Sequence, residues 1–266
     1  MENSLPCLRL PSLAEWRDVA LPKEHGSWSL ALEPLAFGLI AAPSAGGAWL
    51  ALAVIGAFFA RRPLRLAWRD ASPGRRSAAR GVLVACGALT LFSASAAVAT
   101  GGVAWLVWLI PSVIAGAVFV GFDLRNAARE GAAEVAGAAA FSLLPAAMGI
   151  LAGWEPWEAA ALAVMMCGRA VPTVLTVRAA LRAAKTGERD VAPAFVSALA
   201  AIAAGAAFVL AGHARWVGPA ALGVLAVRTF GLLVFPRPML RARTIGMIEA
   251  GLGLAFVMGV ALAWRA

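Results

Sequence analysis

Leu21-Pro-Lys-Glu-His-Gly-Ser-Trp-Ser-Leu-Ala-Leu-Glu-Pro34 runs from a charged entrance straight into an apolar segment. Pro22 suits the first position of a helix, where its missing N–H would find no partner anyway. Glu24 then falls in the first turn, where a carboxylate complements the positive end of the helix dipole. Continued as a helix, the stretch places His25, Ser29 and Glu33 at i, i+4 and i+8, one slowly drifting polar stripe. Trp28 stands beside His25 at i+3. Glu33 is the expensive residue. A carboxylate two turns into an apolar helix needs a partner or a water-filled cavity, and marks a functional site by default.

The composition says what kind of helix this is. Of 266 residues, 62% are hydrophobic and 14% charged, with a mean hydropathy of +0.82. Soluble domains carry about 25% charged residues, so this chain belongs in a bilayer. Counting apolar runs between charged breaks predicts nine spans, near 26–43, 46–60, 79–99, 102–120, 132–152, 156–175, 193–212, 216–235 and 245–264. The expected fold is an all-α, polytopic transmembrane bundle of about nine spans. It reads as one helical domain over 22–266, preceded by a tail over 1–21. The tail lacks the long apolar run of a secretory signal; an interfacial helix is expected around Leu8–Val19.

Charge position decides what the net +9 means. With the N-terminus in the cytoplasm, 21 of the 23 basic residues fall in the tail, the inner loops and the adjoining helix ends; Arg215 and Arg265 fall outside. That asymmetry is what the positive-inside rule requires, and it excludes nucleic acid as the reason for the charge. The expected location is the bacterial inner membrane, N-terminus inside and C-terminus outside. Seven tryptophans, Trp105 and Trp157 among them, fall near the outer ends, where indole rings favour the interface. Cys7, Cys86 and Cys167 show no metal-binding or CxxC spacing.

Three inner loops carry more than topology. In Ala60-Arg-Arg-Pro-Leu-Arg-Leu-Ala-Trp-Arg-Asp70, Arg61, Arg65 and Arg69 recur at i+4, a guanidinium row, with Arg62 beside it. Such a row serves topology and lipid headgroups, or clamps a phosphate through planar donors. In Gly121-Phe-Asp-Leu-Arg-Asn-Ala-Ala-Arg-Glu-Gly-Ala-Ala-Glu134, Asn126, Glu130 and Glu134 align at i+4 steps after Asp123. Arg125 and Arg129 form a second row. Asp123, Glu130 and Glu134 are candidate ligands for Mg²⁺, which favours oxygen donors; ion pairing within the loops is the alternative. In Cys167-Gly-Arg-Ala-Val-Pro-Thr-Val-Leu-Thr-Val-Arg-Ala-Ala-Leu-Arg182, Arg169 lies inside a span and wants Glu33, Glu134 or Asp123 as partner. Pro172 and Thr173 can open the helix there, and Arg178 and Arg182 repeat at i+4. Glu249 is a further intramembrane carboxylate.

The motif Pro22-Lys-Glu-His-Gly-Ser-Trp28, with Asp123-Leu-Arg-Asn126 and Arg169-Ala-Val-Pro-Thr173 downstream, resembles the YwiC-like family of bacterial integral membrane proteins over nearly the whole chain. More distantly, Arg62-Pro63-Leu64 and the stretch ending in Leu144-Pro145 and Gly149 resemble the UbiA superfamily of intramembrane prenyltransferases. That resemblance implies a nine-helix bundle with a cytoplasm-facing pocket for a prenyl diphosphate. The family holds its diphosphate through Mg²⁺ on two Asp-rich motifs. Here the matching connections, Arg61–Asp70 and Arg178–Asp190, are rich in arginine instead.

Three functions follow as expectations. The first is a pocket for a prenyl diphosphate or another phosphorylated, anionic lipid. Lys23, Trp28, Glu33, Arg61, Arg62, Arg125, Asn126, Arg169, Thr173, Arg178 and Arg182 would bind it. Glu24 and His25 are its candidate proton carriers. The second is a transporter of a small molecule or lipid that uses the buried glutamates and arginines. The third is a non-catalytic membrane partner.

Overall fold

The computed structural model describes Val19 and residues 25–69, 73–188, 190–235 and 242–265. Among them, ten helices and no strand account for the regular structure: α1 His25–Ala41, α2 Ala45–Arg69, α3 Pro73–Gly101, α4 Trp105–Leu124, α5 Gly131–Ser142, α6 Leu144–Leu151, α7 Pro156–Thr186, α8 Ala192–Leu210, α9 Val217–Val234 and α10 Ala242–Arg265. Helix is the form in which a bilayer-spanning segment satisfies its own backbone. Among the described residues, seven stretches are long and apolar enough to cross a membrane, with α5 and α6 counting as one, Gly131–Leu151. The apolar part of α1, Trp28–Ala41, is shorter. The last third of α2 carries Arg61, Arg62, Arg65 and Arg69. The order of nine segments matches the sequence reading, and the chain is a multi-pass membrane protein.

The extra length in α2, α3 and α7 comes from their charged ends. The arginine rows of the first and third inner segments do not form loops; they continue the helices beyond the apolar runs, whereas Arg125 and Arg129 do lie in a loop, the α4–α5 connection. The fifth span is broken where the sequence suggested none. Pro145 has no N–H to give to the preceding turn, so α5 ends at Ser142 and α6 begins at Leu144.

Short connections make consecutive helices antiparallel. The loops after α1, α3, α6 and α8 therefore share one end, the tryptophan end, while the arginines gather at the other. Trp105 departs from the expected interfacial role: it is 1% exposed and donates its Nε1–H to the Gly102 carbonyl at 2.8 Å. Trp157 and Trp216 are exposed as expected. Of the N-terminal tail, Val19 alone is described, buried against Ala78, Ala79 and Val82; the interfacial helix otherwise falls outside the described residues.

Helix α1 is the shared wall of two cores. Phe37 packs with Leu162, Met166, Leu222 and Phe256, which joins α1 to α7, α9 and α10. Leu35 packs with Leu50, Trp105, Leu144 and Met148, which joins it to α2, α4 and α6. Helix α1 thus buries two apolar faces, one in each core, and small residues allow the close approach. At Gly149 a methyl group would sit 2.9 Å from the Ala159 Cβ and 3.1 Å from its Cα, which leaves no room between α6 and α7. At Gly223 a methyl group meets nothing within 4 Å. Gly149→Val is therefore expected to cost about 1–3 kcal/mol of stability, read as a lower Tm in detergent, whereas Gly223→Val leaves the Tm unchanged.

Candidate functional site

Two sets of charged side chains stand out, one buried and one at the arginine end. The buried set draws on four helices. Arg169 of α7 pairs with Glu33 of α1 at 3.4 Å, donates to the Glu249 carbonyl of α10 at 2.9 Å, and donates to Thr173 Oγ1 at 2.6 Å. Arg228 of α9 pairs with the Glu249 carboxylate and donates to the same Thr173 oxygen at 3.3 Å. Ser29, one turn before Glu33, donates to its carboxylate. Thr173 gives its own proton to the Arg169 carbonyl at 2.7 Å, so its oxygen is left to accept from both guanidinium groups. Thr176 and Thr229 close a further α7–α9 link at 3.1 Å.

This quartet of two cations and two anions is formally neutral. At 1.5 Å per residue its members lie roughly 12–24 Å in from the tryptophan ends of their helices. A hydrocarbon core is about 30 Å thick, so the quartet sits deep within it. Arg169 is 3% exposed. Such charges persist only when paired. Gly253 of α10 makes the room: a methyl group there would collide with the Glu33 carboxylate and come within 2.6 Å of Arg169 Nη2.

At the arginine end, Asp123 closes α4 and is 2% exposed. Arg61 Nε meets its Oδ2 at 2.9 Å and Arg65 Nη1 its Oδ1 at 3.2 Å. The Arg61 guanidinium also lies 4.7 Å from the centre of the Phe119 ring, a cation–π contact. Two members of the expected guanidinium row thus face a carboxylate of their own chain. Beyond Asp123 the chain turns through Asn126, whose φ of 60° is the left-handed value that asparagine tolerates at a helix end.

Helix α7 then gathers the second and third loops together. Arg178 Nη1 pairs with Glu134 of α5 at 2.7 Å and donates to the Arg129 carbonyl at 2.8 Å. The bridge fastens the α4–α5 connection to α7. Arg125, Asn126 and Arg129 are exposed on that connection, and Arg182 and Lys185 are exposed farther along α7. Gly131 lies under the Arg178 guanidinium, where a methyl group would stand 3.3–3.4 Å from it.

The remaining sequence candidates fall as follows. Trp28 is half-buried, edge-on to Phe58 at 5.8 Å and Phe59 at 5.5 Å. Arg62 is half-buried on α2. Lys23 and Glu24 lie outside the described residues, and His25 is described only as the first residue of α1. Among the described residues, no group of three His, Cys, Asp or Glu side chains is gathered that could hold a metal ion. Asp123 turns to arginines, Glu134 to Arg178, and Glu130 is exposed.

Of the quartet, Arg228 alone was absent from the sites expected from the sequence; Glu33, Arg169 and Glu249 were expected, with Glu134, as the buried relay of the transporter reading. Arg228 reads as one more cation near an inner loop, and its depth in the 216–235 segment is the signal that separates it from the others.

Residues 21–148 match the family model of the YwiC-like proteins, so the YwiC-like resemblance is shown over that part of the chain. The opening motif and Asp123–Asn126 lie inside the match; Arg169–Thr173 lies beyond it. No curated protein and no solved structure matches the chain.

The Asp123 arrangement has a measurable weight. Hydrogen bonds to charged groups contribute about 1.5–3 kcal/mol each, and removing their shared acceptor also leaves two cations facing each other. Asp123→Ala is expected to lower the Tm in detergent clearly, and adding Arg61→Ala is expected to recover part of the loss.

Proposed function

We propose that this membrane protein binds a phosphorylated lipid at its arginine end, on the surface formed by the α4–α5 connection and α7. The observation that carries the reading is the Arg178 bridge to Glu134 and to the Arg129 carbonyl. It holds two basic segments together and leaves Arg125, Arg129 and Arg182 exposed beside it. Arginine recognises phosphate through paired, planar donors. The ends of spanning helices are where a lipid phosphate lies, and placing this end in the cytoplasm follows from the positive-inside rule. Arg61 and Arg65, bound to Asp123, serve the fold more than the ligand in this reading. Asn126, at the turn, adds a neutral donor.

Native mass spectrometry of the protein in vesicle-derived nanodiscs tests this, with phosphatidylglycerol and phosphatidylcholine in equal amounts. Preferential retention of phosphatidylglycerol is expected. The preference should fall about fivefold for each of Arg129→Ala and Arg182→Ala, since a basic residue near a membrane surface contributes on that scale. Equal retention of both lipids by the unaltered protein would overturn the reading.

The buried quartet favours a second reading, transport of a small solute through the α1–α7–α9–α10 core. Intramembrane ionisable residues mark solute and ion pathways. Among the described residues, Nε of Arg169 and Nε of Arg228 have no hydrogen-bond partner, so donors remain for a passing anion. Proteoliposomes challenged with jumps of chloride, phosphate and acetate on a solid-supported membrane are expected to give saturable currents. Glu33→Gln and Glu249→Gln should alter them. Currents equal to those of protein-free liposomes across all three anions would rule this reading out.

A further inference from the structure

A cleft of about 470 Å³ opens on the side of the bundle, between α4 and α8, with α7 as its floor. Its size is that of an ordinary small-ligand pocket, about 300–1,000 Å³. Small side chains hollow it out. Ala163 of α7 and Ala200 and Ala204 of α8 leave the space that larger residues would fill. Trp108 of α4 and Ala146 of α6 wall the tryptophan side. The lining is almost wholly apolar, with Ser197 and Cys167 as its polar side chains.

The floor points to the occupant. Ala160, Val164, Cys167 and Val171 line the cleft from α7, at spacings of four, three and four. Carried on by seven, four and three residues, the same helical face presents Arg178, Arg182 and Lys185. One face of one helix is therefore apolar inside the bilayer and basic at its edge. From Ala160 to Pro172 the floor is roughly 18 Å long at 1.5 Å per residue, beginning roughly 6 Å in from the tryptophan end of α7 and crossing the middle of the bilayer. Arg178, Arg182 and Lys185 follow roughly 9, 15 and 20 Å farther on, so the terminal part of a chain headed at Arg182 enters the cleft.

We infer that the α4–α8 cleft seats an acyl chain of an anionic phospholipid whose phosphate lies at Arg182 and Lys185. The inference rests on the lipid reading above and adds the place of the chain. The hydrocarbon chain replaces lipid that would otherwise pack loosely against a concave wall, so shape and dispersion hold it. The phosphate fixes its polarity, head at the arginine end and methyl end towards Trp108. Cys167, half-buried in the floor, lies beneath the chain.

Cys167 supplies the test, in full-length protein carrying Cys7→Ser and Cys86→Ser. Its alkylation by N-ethylmaleimide in detergent is followed while dipalmitoyl phosphatidylglycerol is added. At ten times the Kd the rate should fall about tenfold, because only the unoccupied fraction reacts. Glycerol 3-phosphate, the head without the chain, should leave the rate unchanged. Ala200→Trp fills the cleft from an exposed position on α8 and should abolish protection by the lipid, with the Tm reporting that the bundle is intact. Protection that survives Ala200→Trp would overturn the seat in the cleft. If native mass spectrometry still showed phosphatidylglycerol preferred in that variant, the lipid reading itself would stand. Equal retention of phosphatidylglycerol and phosphatidylcholine by the unaltered protein would instead remove the lipid reading.

Discussion

A charge in hydrocarbon is tolerable only with its counter-charge beside it, and this bundle is arranged around that requirement. Glu33 could not lie where it does without Arg169, nor Glu249 without Arg228. Thr173 joins the two pairs through one oxygen. The helices that supply these groups, α1, α7, α9 and α10, are those whose apolar side chains form one of the two cores. Packing and pairing therefore reinforce each other. The apolar contacts bring the charges together, and the charges restrict how the helices can slide or rotate. A one-residue rotation of α10 would carry Gly253 away and put a side chain where the Glu33–Arg169 pair sits.

The arginine end uses the same chemistry under a lighter penalty. Asp123 is as buried as the quartet, and it takes two arginines from α2. Glu134 is half-exposed, and its pairing with Arg178 contributes less to stability than to position: it holds the α4–α5 connection against α7. The end of the bundle thus divides its arginines between those turned inward to carboxylates and those left on the surface.

Much of this was legible in the chain. Apolar runs bounded by arginine give the helices and their order, because a bilayer fixes the length of a span. Glu33 and Arg169 could be recognised as members of one site from their cost alone. The choice among Glu33, Asp123 and Glu134 as partner of Arg169 could not be made, since pairing depends on which helix faces touch. Arg61, Arg65 and Asp123 show the same limit: a row of guanidinium groups reads as a phosphate clamp until the opposing carboxylate is placed. Trp105 reads as an interfacial anchor, and only the fold turns it inward. The break at Leu143 is subtler, since Pro145 is common enough in spanning helices to give no clear signal.

The pairing of Glu33 also bears on how the protein is made. The opening helix leaves the ribosome long before α7, and longer still before α10. Until then its carboxylate has no guanidinium to meet. A nascent chain in this condition cannot release α1 into lipid as a settled helix without exposing a bare charge to hydrocarbon. The Glu33–Arg169 pair forms only once α7 has been made. The last helix brings Gly253 and the Glu249 carbonyl to complete the enclosure. The enclosure of that pair is thus completed from three parts of the chain far apart in sequence.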